Sequence, residues 1–135
     1  MKRIEVTIFV VPTPWGRSGM TVIGGHAAAY KPKKTRNSED MIAYAIRQQV
    51  MASGTFDVGV PLALSATFFL EKPKSNPKKM TKPVKRPDLD NYGKLLLDAL
   101  NKYIWPDDSQ IVDLHIKKEF GTPPRIELKI WEVLE

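Results

Sequence analysis

Residues 71–87, EKPKSNPKKMTKPVKRP, can form neither a helix nor a central strand. Pro73, Pro77, Pro83 and Pro87 each fix φ and remove a backbone donor, so the segment is expected to run extended with its lysines splayed into water. Its bases are Lys72, Lys74, Lys78, Lys79, Lys82, Lys85 and Arg86 against the single acid Glu71, so it carries the whole net charge of +6 and the rest of the chain is balanced. A cationic connection of this length is longer than most within a domain, and long loops in small domains are disproportionately functional. It reads either as a solubilising loop or, favoured by its length, as a mobile loop that contacts a polyanion such as DNA.

On either side of this segment the hydrophobic pattern is ordinary. Ile4, Val6, Ile8 and Val10 alternate as a half-buried strand, and Met20–Ile23 with Ala27–Tyr30 suits a small hairpin. Ser38, Glu39 and Asp40 mark a helix start, with a buried stripe of Met41, Ile42, Ala45, Ile46 and Val50 and an end near Ser53-Gly54. Leu62–Leu70 is a second strand. A second helix is expected from Leu89 to Ile104, with Leu96, Leu97, Leu100, Tyr103 and Ile104 in the core, and strands follow at Ile111–Phe120 and Arg125–Leu134. The order predicts an α/β (α+β) fold, a small mixed sheet with two packed helices. At 135 residues this is one domain spanning 1–135. With 42% apolar and 27% charged residues a core is sustainable. The absence of cysteine excludes disulfide frameworks and thiolate zinc sites. No apolar run approaches the roughly 20 residues of a membrane span, and the N-terminus has no signal-like apolar region, so a soluble, cytoplasmic protein without membrane contact is expected.

Chemistry concentrates beside the basic segment. Asp88-Leu89-Asp90-Asn91 opens the second helix, and Asp107-Asp108 precedes the next strand. A helix packed back on its sheet brings these acids together, and clustered carboxylates are held together mainly by a cation. With oxygen donors alone that ion is Mg²⁺ or Mn²⁺. Structural readings stand beside this one. Asp88 or Asp90 can cap the helix, and Asp107-Asp108 can be a turn. Asp90, Lys94, Asp98 and Lys102 can form an exposed salt-bridged face at i+4 spacing. Spacing leaves both sets open. An EF-hand loop fails because Tyr92 and Ala99 stand where ligands belong, and no P-loop, G-x-G-x-x-G or serine-nucleophile motif is present. His26 and His115 lie in no metal-spacing motif. Strand parity puts Val112, Leu114, Ile116 and Phe120 on the inward face together with Lys118, whose ammonium needs an anion there or must snorkel.

Arg86-Pro87-Asp88-Leu89-Asp90-Asn91, then Lys94, Leu97-Asp98-Ala99-Leu100, Asp107-Asp108-Ser109-Gln110-Ile111-Val112 and Lys118 together resemble the RusA-type Holliday junction resolvases. Tyr30-Lys31-Pro32-Lys33-Lys34-Thr35 resembles the family's N-terminal half. The resemblance covers nearly the whole chain in element order and is most specific over 86–118. It implies a homodimeric, Mg²⁺-dependent endonuclease, often encoded by phages and prophages, that resolves four-way junctions by paired symmetric nicks in DNA recombination and repair. Carried over by motif, Asp88, Asp90 and Asp108 are the catalytic, metal-holding carboxylates and Lys94 the catalytic lysine. The family's arginine-rich R-P-R stretch is replaced by Pro14-Trp15-Gly16-Arg17-Ser18-Gly19, where only Arg17 remains to contact DNA.

On this reading Asp88, Asp90 and Asp108 hold one or two Mg²⁺ ions, with Mn²⁺ as a substitute. Lys94 stabilises charge growing in the transition state, Asn91 orients a ligand or caps the helix, and the basic segment with Lys118 grips the DNA backbone. Phe9, Phe69, Trp131 and Val133, on the outward parity of their strands, either supply a dimer interface or are covered by the chain's own helices. A non-catalytic basic nucleic-acid-binding module and a structural subunit of a larger assembly are the alternatives.

Overall fold

In the computed structural model, which describes residues 2–16, 19–50 and 55–134, alternation builds the sheet. Strand β1 (Arg3–Ile8) is followed by the hairpin strands β2 (Gly19–Ile23) and β3 (His26–Tyr30), helix α1 (Lys33–Val50) and strand β4 (Leu62–Leu70). Helix α2 (Leu89–Leu100), a 3₁₀ turn at Asp108–Gln110 and strands β5 (Ile111–Phe120) and β6 (Arg125–Glu132) complete the chain. The main sheet has the order β1-β6-β4-β5. Its β1/β6 and β6/β4 pairs are antiparallel and its β4/β5 pair parallel. A parallel pair needs a long crossover, and 71–110 is that crossover, carrying α2 within it. In the separate β2-β3 hairpin, Gly24 and Gly25 both have positive φ, 57° and 82°, which a two-residue turn matching the strand twist requires.

Register explains the core. Ile4, Val6 and Ile8 stand opposite Ile130, Leu128 and Ile126, which in turn face Leu64, Ala66 and Phe68. All nine are buried in one stripe under the helices. The stripe continues across the parallel pair to Leu114, Ile116 and Lys118, confirming the inward parity of Lys118. Because β5 is the edge strand, however, the stripe is poorly covered there. Val112 is 61% and Leu114 42% exposed, against the expectation that both are core. Alternation assigns a face, but topology decides how much of it is covered.

Both helices differ from expectation at one end. Helix α1 begins at Lys33, five residues before Ser38. The Arg36 N–H donates to the Pro32 carbonyl at 3.1 Å, and buried Thr35 accepts from the Gly16 N–H at 3.0 Å through Oγ1. This long-range anchor fixes the first turn, and Ser38 falls inside the helix. The expected end at Ser53-Gly54 lies outside the described residues. Ile42, Ile46 and Val50 are buried as expected, but Met41 is exposed and Ala43 is buried instead. Helix α2 stops at Leu100: the Asn101 N–H closes back on Leu97 O at 2.9 Å, and Lys102 turns left-handed at φ 69°. Ile104 is nonetheless buried, while Tyr103 is exposed under the Arg47 guanidinium at 4.2 Å.

The opposite face of the sheet is polar. Glu5, Lys117, Glu127 and Lys129 are exposed there around Thr7, Ser65 and Thr67. Phe9 is 69% exposed, and Phe69 and Trp131 are half-buried beneath Arg125 and Arg3 at 3.9 and 5.9 Å. Among the described residues no helix is long and apolar enough to cross a membrane.

Candidate active site

The first turns of α2 present one functional face. Asp90, Lys94 and Asp98 recur at i+4 and therefore project from the same side. That side looks across a cleft of about 310 Å³ at Asp108, with Leu97, Leu114 and Ile116 as its apolar floor. The cleft exists because the inner stripe of β5 is uncovered and because α2 approaches β5 at a glycine. A Cβ on Gly93 would lie 2.9 Å from the end of the Ile116 side chain, so a larger residue there would force Ile116 to move.

The two adjacent aspartates before β5 have different work. Asp107 caps the 3₁₀ turn, its carboxylate accepting from Ser109 N–H at 3.2 Å while Gln110 Oε1 accepts from the Asp107 N–H at 3.2 Å. Buried Gln110 then donates to the carbonyls of Asp57 (2.8 Å) and Val60 (3.1 Å), tying the turn to the loop before β4. Asp108 is left to face the cleft. Its Oδ1 accepts from the indole N–H of Trp105 at 2.7 Å, and that ring is only 1% exposed, so the carboxylate is held by a rigid donor. Burial pushes the Asp108 carboxyl above the usual carboxylate range. The Trp105 hydrogen bond opposes the shift, and the negative charges of Asp98 and Asp107 add to it.

Asp88 is the N-cap of α2 by backbone geometry, φ −71° and ψ 145°, yet its side chain makes no capping hydrogen bond. It is exposed, upstream of Asp90, and is not among the residues lining the cleft. Asn91 accepts through its backbone carbonyl from Trp15 N–H at 2.9 Å. That contact brings the Trp15 ring beneath Lys94, whose ammonium lies 3.6 Å from the ring centroid. The salt-bridged ladder does not form. Among the described residues Lys94 has no ion pair with Asp90 or Asp98, and Lys102 lies beyond the helix end.

The donor chemistry of this cleft suits a hard divalent cation: Asp90, Asp98 and Asp108 offer only oxygen, and beyond burial, the main cause of the raised Asp108 pKa, the charge of Asp98 adds to it. Among the described residues no three acidic or histidine side chains converge on a single point. The residues fit the ion in the kind of donor they offer, and Asp90 is exposed at the cleft.

The basic segment is folded rather than splayed. Turns close at Pro73–Asn76 and Pro77–Met80, and Lys72 Nζ donates to the carbonyls of Lys78 (3.1 Å) and Met80 (2.7 Å). Lys82 pairs with Glu119 at 2.7 Å, and Lys85 donates to Asn76 Oδ1 at 3.1 Å. Lys74, Lys78, Lys79 and Arg86 remain exposed with no ion pair among the described residues. Lys118 finds its inward partner in the backbone: its ammonium donates to the carbonyls of Lys85 (3.0 Å) and Pro87 (2.9 Å), pinning the end of the loop just before Asp88. Its expected anion partner is thus replaced by carbonyl oxygens. Arg17 lies outside the described residues.

Sequence reasoning passed over three residues at this site. Asp98 had a signal, its i+4 step from Lys94, which the ladder reading explains equally well. Trp15 and Trp105 carried none, since each acts through a contact made only in the folded chain.

Comparison with known proteins places residues 10–131 under the family model for the RusA endodeoxyribonuclease. The chain is 35% identical over 133 residues to the crossover junction endodeoxyribonuclease rusA of Lactococcus phage r1t, covering 96% of each protein. It is 32% identical over 140 residues to the uncharacterized protein YqaN of Bacillus subtilis (strain 168), covering 98% of this chain and 99% of YqaN.

Proposed function

The chain belongs to the RusA family of endodeoxyribonucleases, and we propose that it resolves four-way DNA junctions by divalent-metal-assisted hydrolysis of phosphodiesters. The observation that carries this reading is the meeting of Asp90, Lys94, Asp98 and Asp108 in one cleft beside an exposed cationic loop. A non-catalytic binding module needs no such meeting. Its explanation of the aspartates holds for Asp88 at the N-cap position of α2 and for Asp107 and Asp108 in the 3₁₀ turn, but not for the ladder of Asp90, Lys94 and Asp98.

Asp90 and Asp108 would hold Mg²⁺, or Mn²⁺ in its place, with Asp88 closing from the rim. The ion supplies Lewis acidity at the scissile phosphate. Trp105 holds the Asp108 carboxylate at the cleft, and partial burial of that carboxylate limits the water that screens it. Lys94 places a positive charge where negative charge grows on the phosphoryl oxygens, and Trp15 holds that ammonium without neutralising it. Lys74, Lys78, Lys79 and Arg86 grip the backbone without reading sequence. Lys118 acts on DNA indirectly, by fixing the carbonyls of Lys85 and Pro87 so that Arg86 and Asp88 leave the loop in a defined direction.

A junction has approximate two-fold symmetry and needs two opposed nicks, whereas one chain supplies one cleft. A two-fold homodimer with two such clefts is the simplest solution. Its mass would be twice 15.3 kDa. The natural setting is recombination and repair of DNA in the cytoplasm, of phage, prophage or host.

Asp90→Asn tests the reading. It preserves shape and removes a charge, so cleavage of a mobile four-way junction should fall by several orders of magnitude while binding persists or tightens. Cleavage at the wild-type rate would refute the assignment.

A further inference from the structure

A second depression adjoins the cleft across the first turn of α2. It has a volume of about 360 Å³ and is mainly apolar, its walls including Leu70, Pro83, Tyr92 and Phe120 and its mouth carrying Lys85 and Arg86. Nothing in the hydrolytic chemistry uses it. Its size and lining are those of a small-molecule site: rigid apolar walls with a few polar groups at fixed places. Tyr92 is 4% exposed and stacks on Phe68, with centroids 5.5 Å apart, so its ring cannot turn away. Burial alone pushes its phenol pKa up, which leaves the hydroxyl a neutral donor and acceptor. Lys72 lies 5.7 Å from the Phe120 ring centroid on the loop side, adding to the positive field around the mouth. Of the lining residues only Glu71 is acidic.

An apolar, partly aromatic depression with lysine and arginine among its lining residues matches one chemical class, a nucleobase attached to its phosphate. Apolar and aromatic walls accept any base, and the cations engage the phosphodiester. Position supports the same occupant. Arg86 at the mouth is two residues from Asp88, and Tyr92 in the wall is followed by Gly93 and Lys94 in the cleft. A strand whose phosphate lies in the cleft would, on this placement, have a neighbouring nucleotide at the slot. Bases at the crossover of a four-way junction lose stacking partners, which lowers the cost of turning one out.

We propose that this slot receives one unstacked nucleobase of the strand being cut, with Lys85 and Arg86 on its phosphate. The proposal rests on the junction-cleaving reading and adds a determinant of where along the strand the nick falls.

The experiment places 2-aminopurine, one position at a time, in the nucleotides flanking the nick of a four-way junction. Binding is followed with metal-free Asp90→Asn protein, so that the DNA stays whole. One position should brighten several-fold on binding. Val11, exposed at the edge of the slot, is then changed to Trp to plug it. The double variant Asp90→Asn/Val11→Trp should lose that signal while its junction affinity stays within about threefold, because phosphate contacts dominate binding. Phe120→Leu, which keeps the wall apolar but removes a ring, should reduce the signal in the same place. No responding position, or an undiminished signal with the slot plugged, overturns the proposal even if wild-type protein cuts junctions normally. Failure to bind or cut junctions at all removes the functional reading and this proposal with it.

Discussion

The Lys94 ammonium sits 3.6 Å from the centroid of the Trp15 ring and pairs with no carboxylate among the described residues. A lysine one helical turn from Asp90 and one from Asp98 would ordinarily bridge them. The ring, brought in by the Trp15 N–H bond to the Asn91 carbonyl, offers an attraction that leaves the ammonium's charge available. Lys94→Ala should therefore lower cleavage at least about 100-fold, roughly 2.7 kcal/mol, with junction affinity largely kept. Trp15→Ala should lower kcat by a smaller factor and leave KM nearly unchanged, and Trp15→Phe should restore most of the loss. A Trp15→Phe variant as poor as Trp15→Ala would show that the ring acts by filling space rather than by holding the charge.

Asp98 lines the cleft with Asp90 and Asp108 and raises the Asp108 pKa through its charge. Asp98→Asn should weaken Mg²⁺ binding, measured calorimetrically on DNA-free protein, and move the Mg²⁺ dependence of cleavage to higher concentration. An unchanged Mg²⁺ titration would return Asp98 to a merely solvated position.

The raised pKa of Asp108 has a definite sign. A carboxyl whose pKa is higher folded than unfolded binds its proton more tightly in the native state, so its ionisation costs stability as pH rises through that interval. In EDTA at neutral pH, Asp108→Asn should melt higher than wild type, since the amide oxygen still accepts from Trp105 and carries no charge. The difference should shrink as pH falls and wild-type Asp108 takes up its proton. Mg²⁺ should then stabilise wild type and leave the variant unchanged. A variant that melts lower at every pH would contradict the account of Asp108 as a carboxylate whose charge burial and its neighbours disfavour.

Within the basic loop the structure separates free from occupied cations. Replacing Lys74, Lys78 and Lys79 with Gln should flatten the salt dependence of DNA binding, by about 0.9 in the log–log slope per lost contact. Lys72→Gln should instead loosen the loop, because its ammonium is spent on the carbonyls of Lys78 and Met80. An unchanged slope in the triple variant would leave the loop a solubilising one.

How far the sequence could be read depended on whether an interaction was local. Strands β4 and β5 lie where alternation places them, and α2 starts where Asp88-Leu89 indicates. The start of α1 was misplaced because Thr35 is anchored by Gly16 from a distant loop. The end of α2 was misplaced because the chain returns from Lys102 to Trp105, with the Lys102 N–H bonding the Trp105 carbonyl at 2.7 Å. The site shows the same division. Spacing left Asp90, Lys94 and Asp108 open to structural readings; the family resemblance singled them out, and all three line one cleft. Trp15 beneath Lys94 and Trp105 behind Asp108 were not legible, since neither a stacking nor an indole donor leaves a periodic trace. Lys118 was rightly turned inward by parity, but parity names a face and not a partner, and carbonyl oxygens took the place of an anion.

The central claim is hydrolysis of branched DNA at the Asp90–Asp108 cleft, and the most direct measurement is cleavage of a mobile four-way junction beside a linear duplex of matched sequence, each with and without Mg²⁺. Wild-type protein is expected to make paired symmetric incisions in the junction only when Mg²⁺ is present, leaving the duplex intact and sedimenting as a dimer of twice 15.3 kDa. Tight, salt-sensitive binding of the junction with no incision in Mg²⁺ or Mn²⁺ would contradict it.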